Sequence, residues 1–115
     1  MIPFPATTQI WIVAGVTDMR RGFTGLSAMV QTALDKNPIG GDVYIFRGRR
    51  GDLVKLLWHD GDALCLFARR LDRGRFVWPQ AASGTVSLTR AQLSMLCEGI
   101  DWRRPVRSAP LTMAI

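Results

Sequence analysis

Residues 42–78 read DVYIFRGRRGDLVKLLWHDGDALCLFARRLDRGRFVW, and the alternation of apolar runs with glycine-bearing loops in this stretch decides the fold class. Asp42–Arg47, Leu53–Trp58, Ala63–Arg69 and Arg75–Trp78 have the length and the β-branched and aromatic content of strands. The loops Gly48–Asp52, His59–Asp62 and Leu71–Gly74 separate them. Asp60-Gly61 is a strong tight-turn signal. Read as a two-residue turn, it sets Trp58 opposite Ala63, Leu56 opposite Cys65 and Val54 opposite Phe67, with Asp52 facing Arg69. One face then gathers Tyr44, Phe46, Val54, Leu56, Trp58, Cys65 and Phe67. The other gathers Val43, Ile45, Leu53, Leu57, Leu64 and Leu66, interrupted by Arg47 and Lys55. A meander with one wet side alternates apolar and polar residues. Here both faces are apolar, so either helices cover both or a partner covers one.

Outward from this stretch, Gln9–Ala14 reads as a further buried strand, after an extended lead-in with Pro3 and Pro5. Gly15–Gly22 is a polar turn. Leu26, Met29, Val30, Ala33 and Leu34 fall on one helical face, with Thr24 placed to cap it. The helix near the C-terminus is better marked. Thr89-x-x-Gln92 is a capping box, Leu88 and Leu93 form a hydrophobic staple, and Gly99-Ile100 has the order of a Schellman ending, so a helix runs over Arg90–Glu98. The expected fold is α+β, an antiparallel β-meander of about four to five strands packed with two main helices. It occupies residues 1–102 as a single domain, followed by a basic, flexible tail over 103–115.

The chain has 115 residues, 48% of them hydrophobic, enough for a core without staples. Cys65 and Cys97 both sit in apolar runs and read as buried structural thiols. One histidine and no CxxC pair exclude a Cys/His zinc site, and no cofactor motif is present. The absence of a basic leader or a long apolar run points to a cytoplasmic protein with no membrane segment. The net charge is +6, and thirteen of the fifteen basic residues are Arg. Arg forks bind phosphate, although an Arg-for-Lys skew also follows from a GC-rich genome, so the net charge argues for an anionic partner more strongly than the Arg identity does.

The carboxylates argue against catalysis. Asp60 and Asp62 flank Gly61, and Asp52 and Asp72 end turns, roles that turn chemistry accounts for. Asp18 alone stands by a helix entry beside a basic pair, which makes it the centre of the one metal-nuclease reading to test. His59 reads as a surface turn residue. The basic residues carry more information. Arg20 and Arg21 precede the first helix. Arg47, Arg49 and Arg50 ring one hairpin loop, and Arg69, Arg70, Arg73 and Arg75 ring a loop two strands on, at the same end of the sheet. Arg70 and Arg75 stand opposed across that second loop, and Arg103, Arg104 and Arg107 lie in the tail. Arg20, Arg21, Arg47, Arg49, Arg50, Arg70, Arg73 and Arg75 are therefore the candidate nucleic-acid-binding residues. The alternative is a solvated rim with local pairs such as Asp52–Arg69 and Asp72–Arg73. Trp58, Phe67, Phe76 and Trp78 have the spacing of core residues rather than base-stacking platforms.

Gly15-Val-Thr-Asp-Met-Arg-Arg-Gly-Phe23, Phe46-Arg-Gly-Arg-Arg-Gly-Asp52, Lys55-Leu-Leu-Trp58, Gly74-Arg-Phe-Val-Trp-Pro79 and Ser87-Leu-Thr-Arg-Ala-Gln-Leu93, continuing to Glu98-Gly-Ile-Asp-Trp102, together resemble the TnpB-type accessory protein of insertion-sequence family sixty-six, its second open reading frame product. The resemblance runs from Ile2 to Trp102. It implies a non-catalytic role in transposition beside a separate, larger transposase of the same element, and it supplies no catalytic residues. Thr24 stands where the family usually has Asp, and His59 where it commonly has an aromatic residue. Three functions are compatible with these features. They are DNA binding or assembly of the transposase–DNA complex, a protein-interaction module that docks the transposase or a second copy as a homo-oligomer, and a metal nuclease centred on Asp18.

Overall fold

A computed structural model describes residues 4–81 and 83–103; the tail expected over 103–115 lies, apart from Arg103, outside the described residues. Seven elements follow in order: β1 (Ile10–Val16), α1 (Phe23–Thr32), β2 (Val43–Arg47), β3 (Leu53–His59), β4 (Leu64–Arg70), β5 (Thr85–Leu88) and α2 (Arg90–Cys97). They form one five-stranded sheet in the order β4-β3-β2-β1-β5. The fold is α+β with two helices, but the sheet is mixed rather than antiparallel: β1 runs parallel to β2, Ile10 beside Val43 and Ile12 beside Ile45. A parallel neighbour needs a crossover, and α1 supplies it. Local hairpin signals do not register such a pairing, because its partners are about thirty residues apart in sequence.

The other departures have local causes. The β3–β4 connection is not a two-residue turn. The Asp60 carboxylate accepts from the Asp62 and Ala63 amides, and Asp60 N donates to the Ala63 carbonyl. The loop widens, and Trp58 pairs with Cys65, Leu56 with Phe67 and Val54 with Arg69. A slip of two residues preserves the faces, since side chains alternate with period two, so Val54, Leu56, Trp58, Cys65 and Phe67 do share one. It does remove the Asp52–Arg69 pair, and Asp52 instead accepts from Leu71 N through its carbonyl. β2 lies the other way up from expectation. Tyr44 pairs with Leu57 and Phe46 with Lys55, because Gly48 and Leu53 close a loop over Arg49–Asp52. Arg47 and Lys55 thereby leave the sheet on opposite faces.

Arg75–Trp78 is not a strand. It crosses the β2–β3 loop, where the Gly51 carbonyl accepts both Phe76 N (2.9 Å) and the Trp78 indole Nε1 (3.0 Å). The supposed Arg70–Arg75 opposition disappears with it. The fifth strand is Thr85–Leu88, antiparallel to β1.

Helices cover both faces. On one, Leu26 and Val30 of α1 pack on Val13, Tyr44, Phe46 and Leu57, with Trp11, Met29, Leu34 and Leu66 at the margin. On the other, Leu93, Leu96 and Cys97 of α2 join Ile10, Ile12, Val43, Ile45, Val54 and Leu56, closed by Phe4, Phe76, Trp78 and Trp102. Phe4 meets the Trp58 ring edge to face at 5.4 Å. Thr24 does not cap α1: the N-cap is Gly22, without a side-chain bond, and Ala33 of the expected stripe is exposed. α2 matches its signals closely. Thr89 and Gln92 form the reciprocal capping box, and Gly99 N and Ile100 N return to the Leu96 and Met95 carbonyls. Cys97 is buried, whereas Cys65 on the outer strand is only half-buried. No helix among the described residues is long and apolar enough to cross a membrane.

Replacing Thr89 by Ala removes one half of the capping box and is expected to cost about 1 kcal/mol, a fall in Tm of roughly 4–8 °C read by thermal melting. Gly51 (φ +78°) and Gly61 (φ +105°) both adopt left-handed backbone, but only at Gly51 would a Cβ meet neighbours, 3.4 Å from Trp78 Nε1 and 3.5 Å from Arg75 Cδ. Gly51→Ala is therefore expected to destabilise more than Gly61→Ala, where backbone strain of about 1–2 kcal/mol acts alone. Urea melts of the two variants check the order.

Candidate nucleic-acid interface

The strand register gathers three loops at one end of the sheet. Val16, at the end of β1, lies beside Arg47, at the end of β2, and Leu53, at the start of β3, lies beside Arg70, at the end of β4. The β1–α1 loop, the β2–β3 loop and the chain leaving β4 thus open on a common surface. Two adjoining depressions mark it. One, of about 900 Å³, is lined by Val16, Thr17, Asp18, Met19, Arg20, Arg49, Leu53 and Arg70. The second, of about 250 Å³, lies between Met19, Arg49, Arg50, Asp52 and Arg70.

The β1–α1 loop is held by groups that its own sequence does not reveal. Thr17 is buried and donates its N–H to the Arg47 carbonyl at 2.8 Å. Lys55 reaches across from β3, and its Nζ donates to the carbonyls of Met19 (2.8 Å) and Arg21 (3.0 Å). The charge that seemed to interrupt an apolar face is thus a clamp on the loop that carries Arg20. A lysine inside an apolar strand run was the available signal, since its stem can lie on the sheet while its head finds polar partners.

The eight candidate arginines separate into two groups. Arg20, Arg49, Arg50 and Arg70 come together around the depressions. Arg21, Arg47, Arg73 and Arg75 do not line them. Arg21 turns its stem toward Gly25. Arg47 is half-buried, its guanidinium 5.9 Å from the Trp78 ring centre, and its Nε is enclosed without a hydrogen-bond partner among the described residues. Arg73 is exposed in the turn after β4, and Arg75 is exposed with its stem by Gly51. Arg104 and Arg107 lie outside the described residues, and Arg103 pairs with Asp101 at 3.1 Å. Trp58, Phe76 and Trp78 are core residues, and Phe67 is half-buried.

Charge at this surface is unevenly compensated. Asp18 Oδ2 lies 2.7 Å from Arg20, and Asp18 Oδ1 also accepts Arg20 N. Among the described residues the ion pairs are Arg20–Asp18 and Arg103–Asp101, so no carboxylate lies within ion-pair distance of Arg49, Arg50, Arg70, Arg73 or Arg75. Neither of the local pairs Asp52–Arg69 and Asp72–Arg73 forms. Among the described residues no group of three or more His, Cys, Asp or Glu side chains is placed to hold a metal ion.

The guanidinium and the backbone N–H of Arg20 hold the Asp18 carboxyl well below the usual carboxylate range. Because the folded carboxyl is the stronger acid, the pair contributes at neutral pH and fades only as the pH falls below that range. In a carboxyl NMR titration Asp18 is expected to remain ionised near about pH 3, and Arg20→Ala to return its midpoint toward 3.8. A wild-type midpoint at or above 3.8 would show that Arg20 does not hold it.

The chain is similar to known proteins over most of its length. The family model described as IS66 Orf2 like protein matches residues 8–107, reaching past Trp102 into the basic stretch that follows it. The uncharacterized protein y4hO of Sinorhizobium fredii (strain NBRC 101917 / NGR234) is 51% identical over 105 residues, 91% of this chain and 91% of its own length. The uncharacterized protein y4jC of the same strain is 33% identical over 99 residues, 86% of this chain and 85% of its own. No solved structure matches the chain. By the extent of the family match, this chain belongs to the IS66 Orf2-like family and with it to the accessory proteins associated with transposition.

Proposed function

We propose that the chain serves transposition as a non-catalytic DNA-binding factor, holding phosphates on its basic end while the transposase of the same element performs the strand chemistry. The observation that carries this reading is the convergence of Arg49, Arg50 and Arg70 with Arg20 around adjoining depressions, the first three with no acidic partner among the described residues. Placing uncompensated guanidinium groups together costs electrostatic energy, and a polyanion relieves that cost while releasing its counterions. The same arrangement disfavours the nuclease reading, because Asp18 is engaged by Arg20 and Asp60 by turn amides.

The lining of the two depressions is rich in arginine and contains no aromatic side chain on which a base would stack. It therefore fits recognition of the DNA backbone, with the sequence of the element's ends read by another component. The protein-interaction reading needs a different surface from the one first expected, since helices cover both faces of the sheet. Among the described residues β4 and β5 are the two edges at which the sheet itself remains unpaired.

The full chain is expected to bind a 30-base-pair duplex at about 50 mM salt, with log K falling linearly in log salt by roughly 0.9 per phosphate contact. In the Arg49→Ala/Arg70→Ala double variant, binding should weaken alike on unrelated sequences and the slope should fall in magnitude by about two. No binding at about 50 mM salt, or an unchanged slope in a folded double variant, would overturn the proposal.

A further inference from the structure

β4 is an outer strand of the sheet, and among the described residues no strand pairs with its free side. The two bonds that bracket the β3–β4 ladder, Asp60 N to the Ala63 carbonyl and Leu71 N to the Asp52 carbonyl, fix the direction of every backbone group between them. In an antiparallel ladder, hydrogen-bonded and non-bonded pairs alternate. Cys65, Phe67 and Arg69 therefore turn their backbone groups toward β3. Leu64, Leu66, Ala68 and Arg70 turn theirs outward, where no strand among the described residues receives them. Natural edge strands are usually guarded by a proline, a bulge, short length or charge. β4 pairs with β3 without a bulge, contains no proline, and carries no charge over Leu64–Ala68. Leu64 and Leu66 on one face, and Cys65 and Phe67 on the other, are half-buried, whereas Leu56, Leu57 and Val54 beside them are fully buried.

Charge along the strand is polarised. Asp60 and Asp62 stand at the start of β4, and Arg69, Arg70 and Arg73 stand at its end, with Asp72 among them. A copy of the same strand laid alongside in parallel would set arginines against arginines. Laid antiparallel, it sets the arginine end of each copy against the aspartate end of the other. We infer that β4 is a self-association edge: two copies join their β4 strands antiparallel about a twofold axis at Phe67, making one continuous sheet across the dimer. Full overlap places Leu66 opposite Ala68 and Leu64 opposite Arg70 of the partner, the bonded pairs that outward-facing backbone groups require, and brings the two Phe67 side chains together at a close, non-bonded pair. The half-exposed apolar side chains lose water on both faces at once. The dimer is independent of the DNA reading, and it carries the two basic ends to opposite ends of the joint sheet.

Ala68 is exposed and its N–H points outward, so Ala68→Pro removes a bond to the partner while leaving the β3 ladder whole. Sedimentation equilibrium of the full chain, without DNA, is expected to show a concentration-dependent dimer, and Ala68→Pro a monomer with unchanged far-ultraviolet circular dichroism. Leu64→Arg sets a guanidinium directly opposite the partner's Arg70 on each side of the twofold axis, and in a variant with unchanged far-ultraviolet circular dichroism should raise the dimer Kd at least tenfold, about 1.4 kcal/mol. If Ala68→Pro fails to fold, the Leu64→Arg shift decides. A wild-type monomer at about 100 µM, where a micromolar dimer would be nearly complete, overturns the inference. So does a folded Leu64→Arg dimer as tight as the wild type.

Discussion

The parallel pairing of β1 with β2 is the constraint on which the rest of the structure depends. It puts an N-terminal strand beside β2 within the sheet, with Ile10, Ile12, Val43 and Ile45 contributing to one core. The connection between parallel neighbours has to leave the sheet and return, so α1 lies on one face and buries Leu26 and Val30 there. The opposite face is then left to α2 and the aromatic residues that follow β4. β1 also separates β2 from β5, which leaves β4 and β5 as the two edges. The burial of Val43–Phe46 at every position is the consequence of cover on both faces.

The same pairing builds the basic end. Because β1 and β2 run the same way, the loop after β1 emerges beside the loop after β2, and Arg20 reaches the neighbourhood of Arg49 and Arg70. An antiparallel β1 would have delivered Arg20 to the far end of the sheet. Lys55 and Thr17 hold the β1–α1 loop against β2 and β3. Gly51 ties the β2–β3 loop to the segment after β4 through its doubly used carbonyl. The surface is thus three loops, each fastened by backbone carbonyls to a neighbouring element, with the guanidinium groups projecting beyond.

Some features were legible because their causes are local. The α2 boundaries follow from Thr89, Gln92 and Gly99, residues within one turn of the helix ends they mark. The strands β2, β3 and β4 follow from apolar runs bounded by glycine. The family was legible in long motifs, and the family match bears it out. Other features were misread where a side chain outweighed a turn rule. The Asp60 carboxylate, taking two amides, turned an expected two-residue turn into a wider loop. Arg75–Trp78 has strand-like residues, yet the indole of Trp78 and the amide of Phe76 are spent on Gly51, so the segment crosses the loop instead of joining the ladder.

The sequence by itself determined the caps of α2, the approximate limits of β2, β3 and β4, two apolar faces and an excess of arginine around loops, because each depends on residues a few positions apart. Tertiary structure decided which strands are neighbours, which way up β2 lies, which arginines share a surface and which strand is left at the edge. Those outcomes rest on pairings between distant residues, Ile10 with Val43 and Thr85 with Val13, whose register is chosen by simultaneous burial on both faces of the sheet rather than by any signal near either strand.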